Sequence, residues 1–215
     1  ERLVWHHDGP FADSSAIPTY LLAQLTRRHV TVALTGDGGD ELFAGYLRFS
    51  AALLAERIPL AMRRGVRALL AGLPTPGGTR SLVGRLQKFS DGAALPLTER
   101  FSRWAGVFYD DLPRLMPDGV RTLGGADRGR PAPLDVLTPY LARSAKASAL
   151  AQLLDLNMHT YLPGDLLVKM DRCAMAHALE ARSPFLDREL IEYVFSLPDA
   201  MKLRWGTTKV ILRRA

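Results

Sequence analysis

The sequence predicts a predominantly helical α/β fold that contains a remnant of a parallel sheet. A β-branched apolar run at 29–34 leads into a glycine-rich turn and then a helical pattern, which together form one unit of an α/β fold. Apolar residues recur at helical spacing through most of the remaining chain, and no second strand is secure from the sequence. Because a buried parallel strand needs neighbours in its sheet, we expect its partner strands to lie largely outside these 215 residues.

The amino-acid composition is that of a globular protein. Hydrophobic residues make up 47% of the chain and charged residues 23%, which excludes a mainly disordered protein. No apolar run reaches the length of about 18 residues that a transmembrane helix needs, so we expect no membrane partner. The single cysteine, Cys173, excludes an internal disulfide framework and favours the reducing cytoplasm as the location.

The chain is basic, with 28 Lys and Arg residues against 22 Asp and Glu residues and a net charge of +6. A basic balance is compatible with nucleic-acid or phosphate partners. However, the basic residues form no dense run and are not interleaved with aromatic residues. We therefore predict no nucleic-acid partner, and a non-catalytic basic module that binds nucleic acid stays open as an alternative.

The elements follow from apolar periodicity and from glycine and proline punctuation. A helix is predicted over 14–28, and its apolar positions are Ile17, Leu21, Leu22 and Leu25. The parallel strand at 29–34 comes next, and a new helix is predicted from about Leu42. The pattern then stays helical from about 51 to 160, with irregular stretches at 72–78 and 117–133 and either one long helix or two over 137–161.

The C-terminal part is also predicted to be helical. One helix runs from Asp165 to about Ala181, where a Ser-Pro pair stops it, and another covers 188–196. The last helix begins near Thr207. We divide the chain into the end of an α/β core at 1–50, a helical insertion at 51–160, and a helical part at 161–215 that completes the substrate site. All three belong to one incomplete domain.

The most informative motif follows the strand, where residues 34–46 read LTGDGGDELFAGY. In an open α/β sheet, ligands bind beyond the carboxyl ends of the strands, and this loop lies there. Its glycines permit close approach of backbone N–H groups to a ligand. Its three carboxylates would repel a bare phosphate, so the combination favours a bridging divalent cation such as Mg²⁺. The alternative is a simple helix cap, in which Asp37 or Asp40 bonds free N–H groups.

Three further parts of the sequence contain charged residues that are candidates for a functional site. Residues 162–172 read LPGDLLVKMDR, which puts Asp165, Lys169 and Arg172 on one face of a helix. Residues 179–187 read LEARSPFLD, and their charges indicate either an ion-pair network or a carboxylate placed for proton transfer. Lys209, taken alone, is typical of an ordinary helix-surface lysine.

These segments, in this order, resemble the synthetase domain of glutamine-dependent asparagine synthetases. Residues 35–46 look like that family's Ser-Gly-Asp/Glu-Gly-x-Asp-Glu-x-Phe-x-Gly-Tyr loop, with Thr35 keeping the hydroxyl of the usual serine. Residues 162–187 look like its Leu-Pro-x-Asp-Leu-Leu-x-Lys-x-Asp-Arg…Glu-x-Arg-x-Pro-Phe-Leu-Asp signature, and residues 10–20 resemble the segment before the loop. Residues 50–160 contribute little to the resemblance.

The resemblance implies the C-terminal portion of a PP-loop domain, the adenine nucleotide alpha hydrolase-like fold. Members adenylate aspartate with ATP and transfer ammonia from glutamine to form asparagine, AMP and pyrophosphate. The family's Ser-Gly-Gly-x-Asp-Ser loop, which cradles ATP, does not occur in this chain, and neither does the N-terminal cysteine of the glutaminase domain. We therefore expect a fragment that is inactive alone and receives ammonia from a glutaminase domain missing from this chain. A homodimer stays open.

The resemblance also implies roles for individual residues of the loop. Thr35 and Gly36 would line the nucleotide pocket. Asp37 would orient the incoming ammonia or act as its base. Asp40 would help to hold Mg²⁺ and pyrophosphate.

In the C-terminal part, the resemblance implies that Glu180 and Arg182 face the substrate and that Glu180 is catalytic. Lys209 would neutralise charge on phosphate and carbonyl oxygens in the transition state. The alternative is a sister enzyme that adenylates another carboxylate, such as a β-lactam synthetase-like cyclase or an amidotransferase of a polysaccharide gene cluster. Because β-lactam-forming relatives typically have Tyr at the position of Asp37, the carboxylate favours ammonia chemistry.

Overall fold

A computed structural model describes residues 1–74, 81–106, 133–204 and 206–215. The chain divides into two compact units. The first contains Glu1–Gly45 and Leu154–Ala215, and the second contains Tyr46–Leu153. The two ends of the chain therefore fold together in one unit. The division into three segments, 1–50, 51–160 and 161–215, stays a prediction.

The first unit holds every described strand and the helices around them. Its helices are α1 (Arg2–His7), α2 (Ala16–Arg27), α3 (Gly39–Leu42), α10 (Leu167–Met175), α11 (Arg188–Ser196) and α12 (Asp199–Lys202). Its strands are β1 (Val32–Leu34), β2 (Glu180–Arg182), β3 (Leu203–Arg204) and β4 (Thr207–Thr208). A π-helical turn covers Leu162–Leu166, and a 3₁₀ turn covers Pro184–Leu186.

Helices are the regular elements among the described residues of the second unit. It holds α4 (Leu47–Glu56), α5 (Leu60–Ala71), α6 (Leu82–Ala93), α7 (Leu97–Ala105), α8 (Pro133–Ser144) and the start of α9 (Ala149–His159). Arg100 of α7 is 1% exposed; its guanidinium donates to Glu56 Oε1 at 2.8 Å and to the backbone oxygen of Leu95 at 3.0 Å. Such a buried cation is tolerable because acceptors surround it. It ties α4, α6 and α7 into one core.

Strand β1 pairs in parallel with β2, and Ala33 lies opposite Ala181. The predicted strand is confirmed as parallel, but it is shorter than the run at 29–34 suggested. The expectation that it is buried is wrong for the described residues, since Val32 is 41% exposed and Leu34 is 74% exposed. We expected its partner strands to lie largely outside the chain; one partner, β2, belongs to the same chain, and the described residues give β1 no other. A three-residue strand carries too little periodicity to be recognised in a sequence, and only the pairing itself makes β2 a strand.

The helix predicted from Asp165 to Ala181 is corrected at both ends. It begins with the π-helical turn, continues as α10, and ends at Met175. Ala178 then adopts a left-handed conformation (φ 56°), which reverses the chain and lets Glu180 enter β2. From Glu180 to Arg182 the backbone groups bond to β1 instead of continuing the helix.

The last predicted helix is also wrong, since Thr207–Thr208 form β4 in an antiparallel pair with β3. Of the one or two helices predicted over 137–161, the structure contains two, α8 and α9. The helix predicted from about Leu42 begins later, as α4 at Leu47, because the left-handed Ala44 (φ 54°) separates it from the short α3. Most of the irregular stretches predicted at 72–78 and 117–133 lies outside the described residues.

The apolar face predicted for α2 points away from the core of the described residues. Ala16 and Ala23 are buried, whereas Ile17, Leu21 and Leu25 are more than half exposed. Ala23 packs with Ala174 and Leu179 beneath β1. A second cluster joins Leu42 and Phe43 to Val194 of α11. The described helices include none that is long and apolar enough to cross a membrane.

Candidate functional site

The glycine-rich loop begins where the parallel pair ends. The backbone N–H of Thr35 donates to the oxygen of Arg182 at 2.8 Å, one step beyond β1. Gly38 has φ 88°, and a Cβ there would lie 2.5 Å from Leu186 Cδ2. A Cβ on Gly39 would approach the Phe185 ring to 3.3 Å. The two glycines therefore allow the loop to pack directly on the Pro184–Leu186 turn.

Hydroxyl groups of two segments hold Asp37. The Thr35 hydroxyl donates to Asp37 Oδ2 at 2.9 Å. The Ser183 hydroxyl donates to the backbone oxygen of Asp37. The loop and the segment after β2 are thus joined at the residue predicted to act on ammonia. This arrangement orients the carboxylate and leaves its other oxygen available.

A cavity of about 290 Å³ opens beside these residues, and we call it the Asp37 cavity. Its polar lining consists of Thr35, Asp37, Asp171, Glu180 and Ser183. Its apolar wall comes mainly from α10 and includes Leu167 and Met170. An apolar pocket with a few convergent polar groups is the usual form of a small-molecule site. Three of the predicted site residues, from both halves of the first unit, therefore meet in one cavity.

Asp40 and Lys209 form a separate pair outside the lining of that cavity. Lys209 Nζ lies 2.9 Å from Asp40 Oδ1, and the two side chains are 29% and 38% exposed. Lys209 is left-handed (φ 53°), and its backbone N–H donates to the oxygen of Phe43 at 3.0 Å. The structure therefore brings Lys209 to the glycine-rich loop.

The turn that carries Lys209 is anchored by a buried lysine. Lys202 is 2% exposed, and its ammonium donates to the backbone oxygen of Leu197 at 2.7 Å, just beyond α11. Burial lowers the pKa of Lys202, and Asp199 offsets part of that effect. The backbone oxygen of Lys202 also accepts from Val210 N–H at 3.1 Å. The caged ammonium thus fixes the strand pair that leads to Lys209.

Glu180 and Arg182 pair with each other on the same side of β2. Arg182 Nε lies 2.6 Å from Glu180 Oε1, and both side chains are more than half exposed. Exposed pairs of this kind contribute little to stability, at most about 1 kcal/mol. The carboxylate of Glu180 is therefore free to exchange this partner for a ligand in the Asp37 cavity. Arg182 and Gly36 do not line that cavity.

Lys169 departs from the charged face predicted for its helix. Its ammonium bonds to Asp13 Oδ2 at 2.6 Å and to the Ser15 hydroxyl at 2.8 Å. Burial raises the pKa of Asp13, but hydrogen bonds from Lys169 and Ser15 outweigh it and hold the pKa below its usual value. The cluster joins the start of α2 to α10. None of these residues lines the Asp37 cavity.

Among the described residues, no group of three or more His, Cys, Asp or Glu side chains is arranged to hold a metal ion. Mg²⁺ is commonly held by one or two carboxylates together with substrate phosphates, which needs no such cluster. Asp40 offers one carboxylate of this kind, although Lys209 is its partner in the structure.

The model of the asparagine synthase family matches residues 1–215. The chain belongs to the asparagine synthase family. The resemblance seen in the motifs is thereby confirmed, including the stretch 50–160 to which the motifs contributed little. No solved structure matches the chain.

Curated relatives support the same family. The chain is 34% identical to glutamine-hydrolysing asparagine synthetase 1 of Bacillus subtilis over 218 residues. This alignment covers all of the chain and 32% of the relative. A Mycobacterium bovis protein, provisionally described as a glutamine-hydrolysing asparagine synthetase, is 34% identical over 222 residues, again across the whole chain and 31% of the relative. The amidase chyE of Penicillium rubens is 28% identical over 229 residues, across 95% of the chain and 31% of the relative. The chain spans about a third of the length of these relatives.

Some residues of the site were not among the sequence predictions. Asp171 and Ser183 line the Asp37 cavity, and both stand within the quoted motifs. Their motif positions were a usable signal, but a motif alone does not separate cavity-lining residues from their neighbours. Gly45 lies against Asp40 and Lys209 and also stands within the quoted loop motif, but the sequence assigned it no role.

Proposed function

We propose that this chain forms part of an enzyme that makes asparagine from aspartate, ATP and ammonia derived from glutamine. The observation that carries the proposal is the Asp37 cavity, where Asp37 and Ser183 follow the carboxyl ends of the parallel strands β1 and β2, and Glu180, the first residue of β2, lines the same space. Ligands of open α/β sheets bind at this edge. Membership of the asparagine synthase family supports amide formation as the reaction that takes place in that cavity.

In this proposal ATP activates the side-chain carboxylate of aspartate, and pyrophosphate leaves. Thr35 and Gly36 approach the nucleotide at the start of the loop. Asp37, oriented by the Thr35 hydroxyl, takes a proton from ammonia as its nitrogen attacks the activated carbonyl and AMP leaves. Glu180 lies in the same cavity and assists on the substrate side, with Arg182 beside it.

Lys209 supplies positive charge at the other end of the loop. Its ammonium would stabilise the negative charge that develops on phosphate and carbonyl oxygens in the transition state. Asp40 would contribute one carboxylate oxygen toward Mg²⁺ and pyrophosphate. Because Lys209 and Asp40 are partly exposed, their pairing can give way when substrates bind.

The complete protein would include a glutaminase domain that supplies ammonia and the upstream part of the synthetase domain. The length of the relatives supports this, since the chain covers about a third of each. The chain alone would then be inactive. We propose the cytoplasm as its location, in keeping with a buried cysteine that is not in a disulfide. A homodimer stays an open proposal.

The proposal is tested by exchange of labelled pyrophosphate into ATP, measured on the polypeptide that joins this chain to its upstream part. We expect exchange that requires both aspartate and Mg²⁺, and asparagine as the product when glutamine or ammonium is added. Exchange without any dependence on aspartate would contradict the substrate. The chain alone serves as the control without activity.

The similarity to the amidase chyE favours one second candidate, a family member that activates a different carboxylate. The same exchange assay separates the two candidates. Exchange supported by another carboxylic acid at much lower concentrations than aspartate would establish the second.

A further inference from the structure

Gly45 lies where the Asp40 and Lys209 side chains meet. A Cβ built on Gly45 would overlap Asp40 Oδ1 and Lys209 Cε, with Asp40 Cγ within 2.6 Å. All three atoms belong to side chains, and no backbone atom is among the nearest neighbours. The ion pair therefore occupies the space in which any other residue at this position would place its side chain.

The backbone around this contact is held by hydrogen bonds of its own. The Gly45 N–H donates to the oxygen of Asp40 at 2.8 Å, and the Lys209 N–H donates to the oxygen of Phe43 at 3.0 Å. Ala44 and Lys209 both adopt the left-handed conformation, which is disfavoured for residues with a side chain. These backbone bonds do not involve the ion pair. A methyl group at Gly45 would therefore displace the two flexible side chains and leave the chain path intact.

From this geometry we propose that Gly45 is a positioning residue for Lys209. The missing side chain at Gly45 lets the Lys209 ammonium lie on Asp40 at the end of the glycine-rich loop. Its consequence for catalysis rests on the proposed function, in which Lys209 meets charge in the transition state. Because electrostatic stabilisation depends on placing a charge before reaction, a displaced ammonium loses much of its effect.

The direct test is the reactivity of Lys209 in the Gly45→Ala variant of the polypeptide that carries this chain. Acetic anhydride modifies accessible lysines, and mass spectrometry gives the rate at each one. We expect the rate at Lys209 to rise by up to about fivefold, the factor by which a partly exposed ion pair opens when its contact is lost. An unchanged rate at Lys209 would overturn the proposal.

The chain contains its own controls. Lys169 is held by Asp13, and Lys202 is buried among backbone oxygens, so both should react equally in the two proteins. The matched variant is Gly65→Ala, because a Cβ on exposed Gly65 would meet nothing within 4 Å. Equal acceleration at Lys169 and Lys202 in Gly45→Ala would show general loosening and would also overturn the proposal.

A double variant keeps the test decisive if Gly45→Ala lowers the melting temperature. In an Asp40→Ala background the atoms that the new methyl group overlaps most are gone, so adding Gly45→Ala should change neither the melting temperature nor the Lys209 rate further. This non-additivity is expected only for residues in direct contact. Additive effects would contradict a role that acts through the ion pair.

The rate of asparagine synthesis is an independent measurement. Misplacing the ammonium in Gly45→Ala should lower kcat by about ten- to a hundredfold with little change in the KM for ATP, the pattern of lost transition-state stabilisation. Faster labelling of Lys209 with unchanged kcat would leave the positioning role of Gly45 intact and contradict the catalytic role proposed for Lys209. The two proposals therefore fail in different measurements.

Discussion

The Asp37 cavity and the Asp40–Lys209 pair involve the same loop but are held by different interactions. Asp37 lies one turn beyond a parallel strand pair, and hydroxyl groups of Thr35 and Ser183 bond to it. Lys209 reaches Asp40 from a two-stranded hairpin through one partly exposed ion pair. Strand pairing fixes the first position through the backbone, whereas the second depends on side-chain packing at Gly45. The cavity is therefore the rigid part of the site and the ion pair is the adjustable part.

The largest effect is expected from Asp37→Asn, which removes the charge and the basic oxygen of the rigid part while keeping the size of the side chain. We expect asparagine formation to fall by about a thousandfold, within the range for loss of general-base catalysis. Exchange of pyrophosphate into ATP should fall much less, because it precedes the attack of ammonia. Both are measured on the complete polypeptide. Loss of exchange with normal synthesis from a preformed adenylate would contradict the role of Asp37.

Lys209→Ala tests the adjustable part. Because the proposed charge stabilisation serves both adenylation and amide formation, exchange and synthesis should both weaken, by about 2–4 kcal/mol. Lys146, which lies outside the first unit, provides the matched control as Lys146→Ala. If Lys209 were an ordinary surface lysine, its variant would behave like the control, within about twofold in rate.

Gly38→Ala should break the packing that holds the rigid part. The new Cβ would lie 2.5 Å from Leu186 Cδ2 and would force a side chain into a left-handed conformation. We expect the free energy of unfolding to fall by about 2–3 kcal/mol, measured by denaturant titration. Gly36→Ala is the control for stability, since a Cβ there meets nothing within 4 Å. Equal stability of the two variants would show that the loop does not depend on this contact.

The smallest effect is expected at Asp13, whose cluster with Lys169 supports the packing of α2 on α10. Hydrogen bonds hold the Asp13 pKa below its usual 3.8. Between the lowered pKa and pH 3.8, the folded state therefore binds fewer protons than the unfolded state. Its contribution is therefore complete above about pH 4 and is lost as the pH falls through the lowered pKa. Asp13→Asn should lose about 1–2 kcal/mol at neutral pH.

Melting temperatures measured from pH 7 to pH 2 check this prediction. The Asp13→Asn variant should lose less stability on acidification than the unmodified protein. Glu192→Gln serves as the control, because the pair between Glu192 and Arg188 is highly exposed and contributes little. Parallel pH curves for Asp13→Asn and the unmodified protein would contradict the contribution of this carboxylate.

Much of this protein could be predicted from local patterns. The helix of α11 has the predicted bounds, because Asp187 caps it: its side chain accepts from Leu190 N–H at 3.1 Å. The β-branched run predicted the parallel strand β1, because such residues favour extended backbone. The three glycines after it predicted the turn, because glycine adopts backbone conformations that other residues avoid. The long motifs predicted the family, which the family match over the whole chain confirms.

Other features depended on contacts between residues far apart in the sequence. Strand β2 was predicted as helix, because its three residues become a strand only by bonding to β1, almost 150 positions earlier. The turn at Lys209 was predicted as helix for the same reason, since its path depends on Lys202 and Phe43.

The apolar residues of α2 show the same limit. Their spacing predicted a helix correctly, but Ile17, Leu21 and Leu25 lie on its exposed face, while the small Ala23 packs on α10. Periodicity reports that a face is apolar, and only tertiary packing decides which face the neighbouring element covers. For the site, the sequence therefore provided the residues with the right chemistry. The pairing of β1 with β2 brought Asp37 and Glu180 to one cavity, because it joins the segments that follow the two strands at Asp37 and Ser183, and Glu180 begins the strand beside them.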